Sequence, residues 1–125
     1  MNVVFVSPQF PDAYWQFCAA LRRNGARALG VGDTPYDQLA PQVRDALDEY
    51  FWVSDLEDYD QVWRALAYFS YRWGRVSWVE SNNEHWLATD ARLREDFNVA
   101  NGPLPEQVAR WQSKAAQKQI GRAHV

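Results

Sequence analysis

The stretch Val3-Val4-Phe5-Val6-Ser7-Pro8-Gln9-Phe10-Pro11 decides the fold. Four consecutive apolar residues, three of them β-branched, do not alternate with polar ones, so the strand they form must be covered on both faces. Such a strand belongs inside a parallel sheet, and the two prolines break it at once. Asp12 is then placed to cap a helix in which Tyr14, Phe17, Cys18 and Leu21 recur at i, i+3, i+4 and i+7. Arg22, Arg23 and Asn24 fall in its last turn, and Gly25 is the left-handed stop.

The same alternation continues along the chain. Ala28-Leu29-Gly30-Val31 reads as a second strand, ending in Gly32-Asp33. Thr34-Pro35 opens a short helical turn through Leu39, and Pro41 opens another with Val43 and Leu47 on one side. Tyr50-Phe51-Trp52-Val53 is the third strand. The acidic run Asp55 to Asp60 suits the positive end of a helix that carries Tyr59, Val62, Trp63, Leu66, Phe69 and Trp73 and stops at Gly74. Val76-Ser77-Trp78-Val79 is the fourth strand. Ser81 or Asn82 caps the next helix, which carries Trp86, Leu87, Ala91, Leu93 and Phe97. A turn-rich connector, Asn98 to Pro105, leads into a last amphipathic helix.

The spacing therefore predicts strands near 3–6, 28–31, 50–53 and 76–79, with helices near 13–24, 59–73, 83–97 and 105–119. Strands alternating with helices imply right-handed crossovers and a Rossmann-like, doubly wound α/β domain with a parallel sheet of about four strands. Phe5, Phe17, Leu21, Leu29, Trp63, Leu66 and Val79 are the expected core, and Trp63→Ala is expected to cost about 3–5 kcal/mol.

At 125 residues the chain is long enough for one such domain and too short for two. No apolar run approaches the roughly 20 residues of a membrane span. Met1-Asn2-Val3-Val4 has neither the basic start nor the long apolar run of a signal peptide. A lone cysteine, Cys18, leaves no internal disulfide and reads as a small buried hydrophobe; the expected location is cytoplasmic. A net charge of −3 gives no electrostatic footprint for nucleic acid.

Ligands of such sheets sit beyond the strand carboxyl ends, where the strand order reverses. The first loop there, Ser7 to Pro11, contains no glycine, and its prolines remove backbone donors, which argues against a dinucleotide site. Gly30-Val31-Gly32-Asp33 resembles the end of a ribose-binding strand, but without that first loop Asp33 reads as a turn and cap residue. Glu80-Ser81-Asn82-Asn83-Glu84-His85 is the most polar strand end. Its acids and His85 would suit a hard metal or an acid–base pair; the simpler reading is a capping box closed by Glu84. Neither a Ser-His-Asp elbow nor a P-loop is present. In the last helix Arg110, Lys114 and Lys118 share one face, with Trp111 and Ala115 on the neighbouring stripe. By itself this is a solvated basic face that would suit a nucleotide phosphate or an acidic partner.

The order of these pieces resembles the N-terminal "pre-ATP-grasp" domain of ATP-grasp enzymes, the superfamily of biotin carboxylase, carbamoyl-phosphate synthetase and the carboxylate–amine ligases. In those proteins the last strand of a small Rossmann-like domain ends in a Glu/Ser/Asn-rich turn, as Glu80-Ser81-Asn82-Asn83-Glu84 does here. A connector comes next, and then a helix with a pattern close to Asp-Lys-x-x-Met-Lys opens the nucleotide-binding domain. The matching stretch is Ser113-Lys114-Ala115-Ala116-Gln117-Lys118, with Ser for Asp and Gln for Met.

The resemblance covers residues 1 to about 119 in layout. It implies a pre-ATP-grasp domain over 1–102, the start of the ATP-grasp domain over 103–119, ATP phosphates contacted by Lys114, and Lys118 as a second nucleotide-binding residue. It also implies ATP and Mg as cofactors of a longer parent ligase, which activates a carboxylate as an acyl phosphate for attack by an amine or another nucleophile. The partner would be a missing C-terminal ATP-grasp domain, and the fragment itself is expected to bind no cofactor and to be inactive. Ile120-Gly121-Arg122-Ala123-His124-Val125 matches a translated sequencing adapter, so 120–125 is expected to be an artefactual tail. Two other readings stay open: a stand-alone Rossmann-like module binding a small ligand, and a structural interaction domain using exposed aromatics such as Trp15 or Trp86.

Overall fold

The computed structural model describes residues 1–9, 14–81 and 84–99. The elements are β1 (Asn2–Val6), α1 (Trp15–Arg23), β2 (Arg27–Gly32), a 3-10 turn at Tyr36–Gln38, and α2 (Pro41–Ala46). They continue with β3 (Glu49–Trp52), α3 (Tyr59–Trp73), β4 (Trp78–Glu80), a 3-10 turn at Glu84–Trp86, and α4 (Leu87–Asp96). The four strands form one parallel sheet in the order β3-β2-β1-β4. The α/β doubly wound reading is therefore right, and all four strands lie within two residues of their predicted positions.

The apolar run in β1 behaves as its pattern requires: all five strand residues are buried. Val3 and Phe5 join Ala28 in a core layer beneath α1 and α2, with Tyr14, Cys18, Leu39, Val43, Ala46 and Leu47. Val4 and Val6 point the other way. They join Leu29 and Val31 in the larger layer beneath α3 and α4, which includes Val62, Leu66, Phe69, Val79 and Leu93. The register Val4↔Leu29 and Val4↔Val79 aligns the same face of three strands, so this layer is continuous.

Two expected core residues are not buried. Trp63 is 40% exposed and Phe17 is 48% exposed, while Leu21 is half-buried. The buried face of α3 is centred on Val62, Leu66 and Phe69; Trp63 stands about 100° from Val62 and leans on Phe97 at 5.5 Å between ring centroids. Phe17 lies on the flank of α1, stacked on Tyr14 and edge-on to Phe5. The helical periods are right, but the width of each stripe was overestimated.

Helix ends obey local chemistry. Gly25 (φ 87°) ends α1, its N–H reaching Arg22 O at 3.0 Å while Ala26 N–H reaches Leu21 O at 3.1 Å. Asn98 (φ 53°) closes α4 in the same way, with Val99 N–H donating to Arg94 O at 2.7 Å. Helix α3 is capped by Asp58, which accepts from Asp60 N–H at 3.1 Å. Helix α4 begins later than the predicted 83, with Trp86 at its cap position and no side-chain cap bond. The proposed cap Asp12 and the expected helix over 105–119 lie outside the described residues.

Candidate functional site at the strand carboxyl ends

Strand order reverses between β1 and β4, so the carboxyl ends of these two strands are where a ligand of this fold would be met. The chain leaves β1 through Ser7, which is buried and held at φ 60°, with its N–H donating to Val31 O at 2.8 Å. A left-handed serine is uncommon, and it turns the chain sharply over the sheet end.

Past Ser7, Pro8 packs over Gly30 and Gln9 over Gly32 at the end of β2. Gln9 Nε2 lies 3.3 Å from both Asp33 Oδ1 and Thr34 Oγ1. Gly30 and Gly32 serve packing: a Cβ on Gly30 would come within 2.8 Å of Leu47 and 3.0 Å of Pro8, and one on Gly32 within 2.6 Å of the Tyr50 hydroxyl. That hydroxyl donates to Thr34 O at 2.6 Å. Asp33 is accordingly a turn residue, as its sequence context indicates, and also supplies the backbone carbonyl that accepts from Trp52 Nε1 at 3.0 Å. Beside it lies a cleft of about 370 Å³ whose polar lining is neutral: Gln9, Thr34, Gln38 and Gln42.

The start of α3 borders a second cleft, of about 500 Å³, lined by Ser54, Asp58, Asp60 and Gln61 among others. Its own carboxylates occupy the positive helix end. Asp58 accepts from Asp60 N–H and from Gln61 Nε2, and Gln61 Oε1 accepts from the Ser54 backbone and hydroxyl at 2.9 and 3.0 Å. A phosphate approaching this end would meet two acids, so the cleft is unsuited to anions.

The most unusual chemistry gathers at the reversal itself. Asp90, 1% exposed, accepts a hydrogen bond from the Ser81 hydroxyl through Oδ2, while its Oδ1 has no protein partner. Burial raises its carboxyl to a pKa of about 6, against the opposing pull of the Ser81 hydrogen bond and of Arg94. Arg94, one turn along α4, is buried and donates to Val79 O at 2.8 Å. Tyr14, 6% exposed, also has a hydroxyl without a protein partner. Burial, then the charges of Glu80, Cys18 and Asp90, push its ionisation far above the usual range, so it is a neutral donor. Buried polar groups are nearly always paired. Two are left open here, the Tyr14 hydroxyl and Asp90 Oδ1, both close enough to Glu80 to feel its charge.

Of the acids and the histidine at 80–85, Glu80 and His85 each have a described partner. His85 Nε2 lies 2.6 Å from Glu57 Oε1, and Glu80 accepts from Trp78 Nε1 at 2.9 Å. No group of three or more potential metal ligands exists among the described residues. Ser81 spends its hydroxyl on Asp90, and the side chain of Glu84 lies outside the described residues. Cys18 is buried, as expected, and burial pushes its thiol up to about 12, which makes it a packing residue. Lys114 and Lys118, the residues expected to hold nucleotide phosphates, lie outside the described residues.

This chain is similar in fold to an L-amino acid ligase. That solved structure, from Bacillus licheniformis, superposes with a TM-score of 0.59 over 82% of this chain at 15% identity. The match takes in 25% of the ligase, so the chain spans about a quarter of that protein's length. At this identity the likeness is one of fold. No protein-family model matches the chain, and no curated protein matches it. Among the described residues no helix is long and apolar enough to cross a membrane.

Sequence reading passed over Asp90 and Arg94. The signal was available: Asp90 is four residues after Trp86 and three before Leu93, in the middle of the apolar face of α4. A carboxylate there has to be buried, and Arg94 at i+4 is the compensating charge.

Proposed function

We propose that this chain is the N-terminal domain of an ATP-dependent ligase of the ATP-grasp type, which activates a carboxylate as an acyl phosphate for capture by an amine or another nucleophile. The observation that carries this reading is the parallel order β3-β2-β1-β4, together with the likeness of 82% of the chain to one quarter of an L-amino acid ligase. The stretch Ser113-Lys114-Ala115-Ala116-Gln117-Lys118 supports it further, as the proposed entrance to the nucleotide-binding domain. In this reading ATP and Mg belong to the downstream domain, with Lys114 and Lys118 on the phosphates. The described domain supplies a wall of the cleft, with Tyr14, Glu80 and Asp90 at the strand ends nearest the amine-bearing substrate.

The test is made on the longer protein. ADP release should require both a carboxylate and an amine, and Lys114→Ala should weaken ATP binding far more than Arg110→Ala, four residues earlier in the sequence. Calorimetry of the 125-residue chain with ATP should show negligible heat of binding, since this reading puts the nucleotide site in a downstream domain. Micromolar ATP binding by this chain alone would overturn the assignment. The open Tyr14 hydroxyl and Asp90 Oδ1 would then favour the second reading, a self-contained module that binds a small polar ligand above the strand ends.

A further inference from the structure

The turn after β1 goes to some length to place a single carboxamide. Ser7 holds φ 60°, a conformation that residues with a Cβ seldom adopt and that collects at ligand sites. The turn carries Gln9 across the end of β2. There Gln9 Nε2 lies 3.3 Å from Asp33 Oδ1 and from Thr34 Oγ1, and a Cβ on Gly32 would come within 3.0 Å of Gln9 Oε1. That oxygen is buried and has no protein partner. A glycine beneath it and an aspartate beside it thus fix the amide of Gln9. An apolar side chain would fill the same space without leaving an oxygen unpaired.

Gln9 lines the cleft of about 370 Å³ beside α2, a volume within the range of small-molecule sites. Thr34, Gln38 and Gln42 are its other polar lining residues, and Leu39 and Val43, both buried in the core layer below, give it an apolar side. Three carboxamides and a hydroxyl can each donate and accept hydrogen bonds. The side chains of Gln38 and Gln42 hold no hydrogen bond or ion pair among the described residues. None of the lining residues is charged, so a phosphate, carboxylate or ammonium group would find no counter-charge in the lining. The matching ligand carries groups that also donate and accept, set around a ring with C–H faces. We propose that the cleft between Gln9, Gln38 and Gln42 is a binding site for an uncharged sugar. Its hydroxyls would pair with the carboxamides and Thr34, and its C–H face would rest on Leu39 and Val43. This does not depend on the ligase reading, and its test involves no ATP.

The test is a titration of the isotope-labelled 125-residue chain with D-ribose and with D-glucose, followed by NMR of the glutamine side-chain amides. With at least one sugar, raised into the tens of millimolar, the signals of Gln9, Gln38 and Gln42 should move saturably, while those of Gln16 and Gln61 stay in place. The double change Gln38→Ala, Gln42→Ala should weaken binding by about tenfold, read on Gln9, through the loss of two neutral hydrogen-bonding groups. Both positions are exposed, so the urea midpoint of this variant should match that of the unaltered chain. Three cleft signals unmoved by both sugars would overturn the site. So would Gln16 and Gln61 moving as far as the cleft residues, or a double variant that binds as tightly as the unaltered chain. Inorganic phosphate that moves the same signals at lower concentration would make this an anion site and overturn it as well.

Discussion

The two faces of the sheet are built from alternate residues of the same strands, yet they are covered very differently. On the α3/α4 face, α3 contributes Val62, Ala65, Leu66 and Phe69, all at 0% exposure, and α4 adds Leu93. On the α1/α2 face, α1 contributes one buried residue within its span, Cys18, and leaves Phe17 half in solvent. Helix length explains much of the contrast. Helix α3 has 15 residues and crosses the sheet, whereas α1 has 9 and α2 has 6. Fully buried strands require two covered faces.

The sharpest way to break this comparison is at the centre of the closed face. Phe69→Ala should cost about 3–5 kcal/mol in chemical denaturation, a large-to-small change with no exposed volume to relax into. A loss below about 1 kcal/mol would mean that the α3 layer is far looser than its burial indicates.

The second effect also belongs to that face and depends on pH. Asp90 holds its proton up to about pH 6 in the fold, whereas an unfolded aspartate ionises near its ordinary value of about 3.9. Between these values the folded state binds more protons, so stability should fall as pH rises from about 4 to about 6, and then level off. The contribution is of order 1–3 kcal/mol. Asp90→Asn should flatten this part of the profile in urea titrations at stepped pH. An unchanged slope in Asp90→Asn would assign it to other groups.

The comparison sharpens within α3 itself. Trp63 shares the helix with Phe69 but stands on the rim, so Trp63→Ala should cost only about 1–2 kcal/mol, despite the larger side chain. A loss matching that of Phe69→Ala would show that the contact with Phe97 carries more than a rim contact should. The smallest effect lies at the end of α1. A Cβ at Gly25 meets nothing within 4 Å, so Gly25→Ala should cost about 1 kcal/mol from the left-handed backbone alone. A thermal midpoint equal to wild type would mean that the α1 stop relaxes freely.

Much of this molecule was legible in the chain, because the signals concerned are local. An unbroken apolar run means a strand covered twice, and Gly25 after two arginines means a helix stop; both rest on residues within one or two turns of each other. The packing function of Gly30 and Gly32 was not legible, since Leu47 and Tyr50 reach them from the next unit of the chain. Likewise the sequence around 80–85 did not show that His85 would meet Glu57 or that Ser81 would meet Asp90. The sequence by itself determined the alternation of strands and helices, their approximate limits and the absence of a glycine-rich phosphate loop. Only the tertiary structure decided which way each helix turned its stripe, hence the exposure of Trp63 and Phe17, and which distant polar groups share the reversal between β1 and β4. The reason is physical: periodicity sets the angle between residues on one helix, while the direction in which that helix faces is set by partners far away in sequence.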